Sequence, residues 1–396
     1  MDKSSLQSHR DFAFFSFTRN DLFIKLILLF PITTLFQHYI SPLNKLLFLS
    51  ILIVLISVSQ IRRRSLVYLL SFTMLWAFAV LVTPLAAIKT NLNMTFYYIF
   101  LVFYLVFVLE DIDQFWNLLM QNRRYIFWVV VLYTSILTVS IFLPVSYSQM
   151  TAGGWGDEAY FTSISGSPNR VGPASVFILV LIIFLIQTGS SKFLSALALP
   201  QLYTFFMGGS RTYFVVGMCA FVVLYYVMIP HKKWFFISLI PLGFAALLVA
   251  SKSSMMDKFL ATFQSELSGP EFWRRLTNSR SVFWVKQLEM FQQTPVIKQI
   301  LGNGINFTTY NYGLWAHSDF IEILCSYGYV GLANYIALMS YTLWKLLKTT
   351  KRHFFIKCVC IFIWFFNAFF NFFYCYFCAM LCYPILLITV KHMDDH

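Results

Sequence analysis

Apolar residues along this chain run in long blocks, not in the period-2 or period-3.6 stripes of half-buried strands and helices. Twelve blocks can be read, near 22–40, 43–60, 66–88, 94–109, 125–146, 173–188, 192–207, 212–230, 234–250, 319–344, 354–372 and 374–390. Most approach the roughly 20 helical residues that cross a bilayer core. The pattern predicts an all-α polytopic integral membrane protein, one membrane domain over 1–396 with about twelve transmembrane helices. The pairs 192–207 with 212–230 and 354–372 with 374–390 stand so close that each could be miscounted.

Two stretches between blocks exceed connector length, one at 146–172 and one at 251–318. Long ordered loops tend to carry function. The second contains SELSGPEFWRRLTNSRSVFWVKQLEMFQQTP, where Arg280, Trp284, Gln287 and Phe291 recur three to four apart. That spacing predicts one or two short amphipathic helices at the surface, with aromatic rings suited to a headgroup zone.

Composition agrees with the blocks. The chain is 59% hydrophobic and 11% charged, with mean hydropathy +0.70, whereas soluble domains carry about 25% charged residues. Residues 1–20 hold no apolar run followed by a small-residue cleavage site, so no cleavable signal peptide is expected. The net charge of +13 could point to nucleic acid, but its placement does not. With the N-terminus in the cytoplasm, seventeen basic residues fall on the inner side. They include Lys3, Arg10, Arg19, the Arg62-Arg63-Arg64 run, Arg123, Arg124, Lys192, Lys232, Lys233 and the group from Lys345 to Lys357 with Lys351 and Arg352. The short outer loops carry Lys89, Arg170 and Arg211. Such a bias sets both termini inside and both long loops outside; a nucleic-acid partner is not expected.

All seven cysteines lie in apolar stretches. Cys375, Cys378 and Cys382 have a faintly zinc-like spacing, but no His, Asp or Glu accompanies them. Small packing residues within a helix are the better reading, and no metal is expected.

Four polar sites on the outer face invite explanation. In GGSRT (208–212) two glycines break the chain, and Ser210 can N-cap the next helix. A helix N-terminus binds phosphate through free N–H groups. Arg211 sits in that first turn, where a cation is disfavoured, which suggests either an anionic ligand or a lipid headgroup. Arg280, in SRSVFW, reads as a solvated face of an amphipathic helix or as a second cation for that ligand; Arg274 and Arg275 lean further toward the solvated reading. LGNGIN (301–306) is a Gly-rich turn leading to AHSDFIE (316–322), where His317 stands at the mouth of a span. Asp319 and Glu322 share one helix face. They could orient His317, bind sugar hydroxyls or stabilise the helix start. Only His38 and His317 face outward, and an imidazole beside acids and arginines is a candidate general base. In GSPNR (166–170), Asn169 and Arg170 are either a Pro-Asn turn or part of the site.

Taken in order, GGSRT, SRSVFW, LGNGIN and AHSDFIEILCSYGYVGL resemble the O-antigen ligase and polymerase superfamily over roughly residues 150 to 345. GSPNR is similar to a segment found upstream in that family. The resemblance implies a metal-independent glycosyltransferase of the bacterial inner membrane, without a cofactor. Its donor would be an oligosaccharide on undecaprenyl pyrophosphate at the periplasmic face. Arg211 and Arg280 would contact the pyrophosphate, and His317 would activate the acceptor hydroxyl. The ligases often place Asn after that His; here Ser318 and then Asp319 follow. Substrate contacts are expected from Asp319, Glu322, Asn169, Arg170 and Ser210. Membrane lipids are expected partners, and the family leaves room for a chain-length regulator protein. The expected reaction is polymerisation of a surface polysaccharide. The alternative is an O-antigen ligase that moves the glycan to lipid A–core. From another class, a transporter or flippase also fits twelve spans, although transporters usually carry ionisable residues at mid-membrane.

Overall fold

A long apolar block pairs its backbone most readily within itself, as helix. In the computed structural model all twelve blocks are helical. Described are residues 19–58, 62–90, 92–149, 159–250, 274, 277, 279–348 and 353–393. Lys3, Arg10, Arg275, Lys351, Arg352 and the 251–273 part of the long loop lie outside the described residues.

The helices are α1 (Arg19–Leu35), α2 (Ser41–Val58), α3 (Arg63–Val82), α4 (Leu85–Thr90), α5 (Leu92–Glu110), α6 (Ile112–Gln121) and α7 (Arg123–Ile141). A small antiparallel hairpin follows, β1 (Tyr147–Gln149) with β2 (Ala159–Phe161), Tyr147 opposite Phe161. Then come α8 (Pro168–Gln187), α9 (Leu199–Met207), α10 (Arg211–Met228) and α11 (Lys232–Ala250). The rest is α12 (Arg280–Gln292), α13 (Val296–Leu301), α14 (Phe307–Tyr312), α15 (Asp319–Leu347), α16 (Phe354–Phe370) and α17 (Phe377–Lys391). Six of these, α3, α5, α7, α8, α10 and α15, are long and apolar enough to cross a membrane. Block 192–207 is not one α-helix. It is a 3-10 helix, Lys192–Ala198, followed by α9, which begins afresh at Leu199 with Pro200 in its first turn; proline fits a first turn, where its missing N–H costs nothing.

Helix α8 lies at the centre, buried continuously from Val171 to Ile186 against α1, α7, α10 and α17. Phe377 of α17 ties in α1, α2 and α5, its ring centroid within 4.5–4.8 Å of Phe30, Phe48 and Phe100. The outer helices turn apolar side chains outward: Met74 and Leu81 on α3 are 74% and 83% exposed, and Ile240 on α11 is 79% exposed. An apolar exterior this broad is foreign to water-soluble monomers.

The charges sort to the two ends of the bundle. At one end Arg62 pairs with Glu110 at 3.2 Å. Lysines there satisfy carbonyls left free at helix C-termini: Lys192 Nζ donates to Met228 O, Lys232 Nζ to Ile229 O and Lys345 Nζ to Leu109 O. Arg170, Arg211, Arg280 and His317 belong to the other end, where α8, α10 and α15 begin.

One break shapes that second end. Helix α15 is interrupted at Gly328 (φ 68°, ψ −170°). Sixteen residues of unbroken helix rise about 24 Å, yet Tyr335 Oη donates to Asp319 Oδ2 at 2.6 Å. Residues 319–327 therefore fold back over 329–347. The LGNGIN turn fills the elbow. Its amides at Asn303 and Gly304 donate to Cys325 O and Ser326 O, carbonyls that an unbroken helix would pair four residues on. Gly302 (φ 108°) and Gly328 touch backbone to backbone, leaving no room for a Cβ at either. Next along, Ile305 N and Asn306 Nδ2 donate to Thr83 Oγ1 and Ala87 O, fixing the turn to α3 and α4.

The Gly328→Ala variant should lose about 1–3 kcal/mol from backbone strain and overlap. Its melting temperature in detergent should fall clearly below that of the parent. Gly243→Ala, where a Cβ meets open space, is the control and should melt with the parent.

Candidate active site

His317 sits on a loop held from several sides. Glu322, 1% exposed, accepts from Thr308 Oγ1 at 2.6 Å, from Ala316 N at 3.3 Å and from Ser326 Oγ at 3.3 Å. Trp284 Nε1 donates to Ala316 O at 2.6 Å, and Gln287 Nε2 to Leu314 O at 3.0 Å. Ala316 is thus clamped at both its N–H and its C=O. The next residue, His317, takes a left-handed φ of 50°. Strain of this kind in a non-glycine residue survives only where the surroundings over-determine it, and it gathers at functional sites. The imidazole stacks on Phe372 (centroids 5.3 Å apart, 29° between planes), and its Nδ1 is buried with no hydrogen-bond partner among the described residues.

The clamp also fixes Arg280. Trp284 lies one turn beyond it on α12, and its ring packs edge-on against Phe369 at 5.3 Å. Thr212 Oγ1 reaches Phe370 O at 3.4 Å, which joins the start of α10 to the same junction. Burial lowers the Arg280 guanidinium from its usual range, and the adjacent Arg211 charge adds to this. Among the described residues no carboxylate lies within ion-pairing distance of Arg280.

The same neighbourhood governs His317. Burial, and then the Arg280 charge, lower its pKa to about 3. Imidazole otherwise titrates near 6.5, so here it is neutral across the physiological range.

Beside His317 opens a cavity of about 710 Å³. Asn169 and Arg170 line it from the first turn of α8. GSPNR is therefore a helix start and not a free loop turn, because Pro168 is preset for the first helical position. Pro173 lacks the amide that would take the Asn169 carbonyl. Arg170 Nη1 donates to Ser165 O at 3.1 Å. Tyr376 also lines the cavity and stands within electrostatic reach of both Arg170 and Arg280.

Other expected residues lie elsewhere. Asp319 and Glu322 are buried beneath the loop, hydrogen-bonded to Tyr335 and to the loop itself, and do not line this cavity. Ser210 holds the N-cap position of α10, but its side chain makes no capping bond. Its backbone is extended while Gly209 turns left-handed against the Tyr160 ring. The α12 face expected to lie at a surface instead packs inward through Gln287 and Phe291, both buried. Tyr376 and Phe372 went unnoticed in the sequence because they sit in an unbroken apolar run. The one signal is Asn371, the polar residue that opens NFFYCY, where the chain leaves helix between α16 and α17. Cys378 faces Thr34 at 3.6 Å and Cys375 faces Met94 at 3.3 Å.

The chain matches no family model, no curated protein and no solved structure.

A neutral buried histidine links stability to pH. Its folded pKa lies below its unfolded value, so the stabilisation is whole above about 6.5 and is lost as pH falls toward 3. Between pH 6.5 and 4 the parent's melting temperature should fall more steeply than that of His317→Gln. Parallel slopes would mean an exposed, ordinary imidazole.

Proposed function

We propose that the protein is a polytopic glycosyltransferase of the bacterial inner membrane, with both termini cytoplasmic, that polymerises a surface polysaccharide. It transfers a growing glycan from undecaprenyl pyrophosphate to a repeat unit carried on a second undecaprenyl pyrophosphate, at the periplasmic face. The observation that carries this reading is that Arg280 lies within electrostatic reach of both His317 and Arg211, at one end of an apolar bundle where His317 lines a cavity. The order of GGSRT, SRSVFW, LGNGIN and AHSDF along the chain supports it. The segregation of Lys192, Lys232 and Lys345 to the opposite end supports the orientation.

The chemistry needs little else. The acceptor hydroxyl oxygen attacks the anomeric carbon of the donor glycan. The bond from that carbon to the pyrophosphate oxygen breaks, and its electron pair leaves with the carrier. Arg211 and Arg280 hold that charge; guanidinium suits the task because it binds phosphate bidentately and stays charged. The hydroxyl proton passes to His317. A pyrophosphate held by Arg280 offsets the smaller, electrostatic part of the depression of His317; burial, the larger cause, remains, so donor binding raises the imidazole pKa only in part.

Arg211→Ala, Arg280→Ala and His317→Ala should each abolish chain extension, by 100-fold or more for the base, while inserting normally. The readout is the lipopolysaccharide ladder of a deletion strain carrying each variant. For the deletion itself, lipid A–core capped with a single repeat unit is the polymerase outcome. Loss of all surface polysaccharide with carrier-linked polymer accumulating would make it a ligase. Coupling-ion-dependent substrate movement in proteoliposomes would make it a transporter. For orientation, in a Cys358→Ser background, Tyr310→Cys should react with an impermeant thiol reagent in intact cells and Arg64→Cys should not.

A further inference from the structure

The cavity beside His317 has a second wall that no motif announced. It comes from the N-terminal helices, through Gln37 just after α1, Asn44 of α2, and Asn93 and Tyr97 of α5. We infer that this cavity is the subsite for the acceptor saccharide, and that Gln37, Asn93 and Thr309 help determine which sugar it accepts. The inference rests on the glycosyl-transfer reading above.

Three observations carry it. The first is chemical character. Apart from Arg170 and His317 the polar groups of the lining are neutral, mostly amides and hydroxyls, and they stand among the rings of Tyr97, Trp315, Phe372 and Tyr376. Amides that both donate and accept, set between aromatic faces, match a neutral polyhydroxylated ring. They offer little to a charged phosphate.

The second is unspent hydrogen-bonding capacity. Thr309 Oγ1 and His317 Nδ1 are buried with no hydrogen-bond partner among the described residues, and both residues line this cavity. Buried polar atoms without partners are destabilising, because they lose their bonds to water and gain none. A ligand hydroxyl donating to His317 Nδ1 and one bonded to Thr309 Oγ1 would relieve both.

The third is division of labour. Arg280 and Arg211 do not line this cavity, while His317 does and also feels Arg280. The imidazole is shared between a cationic region on one side and a neutral cavity on the other. The base must touch the acceptor hydroxyl, so the neutral side belongs to the acceptor and the cationic side to the donor's leaving group. Asn44 is left out of the recognition set because both halves of its amide are engaged, Oδ1 accepting from Thr33 Oγ1 at 2.6 Å and Nδ2 donating to Gln37 Oε1 at 3.2 Å; Gln37 is engaged in that bond through its oxygen, which leaves its Nε2 to offer a ligand.

The test uses the full chain in nanodiscs, with a polymerised glycan on polyprenyl pyrophosphate as donor and a single labelled repeat unit on the same carrier as acceptor, each varied with the other held fixed. Thr309→Val keeps shape and removes the hydroxyl; Asn93→Ala removes an amide. Each should raise the acceptor KM about three- to tenfold, the worth of one neutral hydrogen bond. The Kd for the donor carrier should stay within twofold, and kcat should fall far less than in Arg280→Ala. Repeat-unit oligosaccharide freed from its carrier should compete with acceptor against the parent, and more weakly against both variants. An unchanged acceptor KM in both variants overturns the assignment while leaving the glycosyl-transfer reading intact. A raised donor Kd with unchanged acceptor KM also overturns it, by giving the cavity to the donor's sugar. A parent protein that transfers nothing from this donor overturns both.

Discussion

The break at Gly328 is the constraint from which the rest of the site follows. A helix bent back on itself leaves backbone carbonyls without their usual partners, and in an apolar setting each costs free energy comparable to a lost hydrogen bond. The LGNGIN turn supplies the missing amides. It can do so only because Gly302 and Gly328 bring the two backbones into contact. Once 319–327 fold over 329–347, Asp319 and Glu322 become interior residues of the fold. Glu322 then gathers the preceding loop through Thr308 and Ala316. The strained His317 is the product of these ties, and each tie is local and identifiable. Two distant motifs, one before the histidine and one after it, are in this sense a single structural device.

That device also explains why Arg280 comes within electrostatic reach of the histidine. Helix α12 reaches the same loop through Trp284 and Gln287, so the residue one turn before Trp284 is carried toward His317. Helix α10 reaches the same junction through Thr212 and Phe370. The Arg211 charge adds to the burial that lowers the Arg280 guanidinium. The fold accepts this because the loop, the elbow and the central helix α8 are fixed independently. On the glycosyl-transfer reading proposed above, a site built this way is complementary to the leaving pyrophosphate before it arrives, which lowers the reorganisation that the transfer requires.

Much of this was legible in the sequence, and the limits have physical causes. The apolar blocks located every long helix to within a few residues, since an apolar helix needs only length and hydropathy to be recognised. The glycines of LGNGIN and SYGYVGL marked special backbone, but not that they touch each other; contact between segments more than twenty residues apart leaves no trace in local pattern. Asp319 and Glu322 were visible as acids at a helix start. Their depth was not, because the fold-back that buries them depends on one left-handed glycine. Periodicity put Arg280, Trp284, Gln287 and Phe291 on one face, and the structure keeps that face. It turns the face inward where an amphipathic pattern alone suggests a surface. The NFFYCY break escaped notice because its aromatic residues continue the hydropathy of the helices on either side.

What the sequence could least provide is the contribution of the first hundred residues. Gln37 and Asn93 are single polar residues at the edges of apolar blocks, the commonest and least informative place for a polar residue. Only their arrival in the same cavity as His317 separates them from ordinary interfacial residues. The arrangement has a consequence for how such a fold changes specificity. Arg211, Arg280 and His317 depend on the elbow and on one another, so altering any of them disturbs the electrostatics of all. The amides of α1 and α5 hold no charge and lie at helix ends. Exchanging them alters hydrogen-bonding pattern at a cost of about 1 kcal/mol per bond, without touching the charge balance that sets the histidine. On the glycosyl-transfer reading proposed above, a protein that must keep one leaving group while accepting different sugars would vary where the chemistry is least coupled, and here that is the wall opposite the motifs.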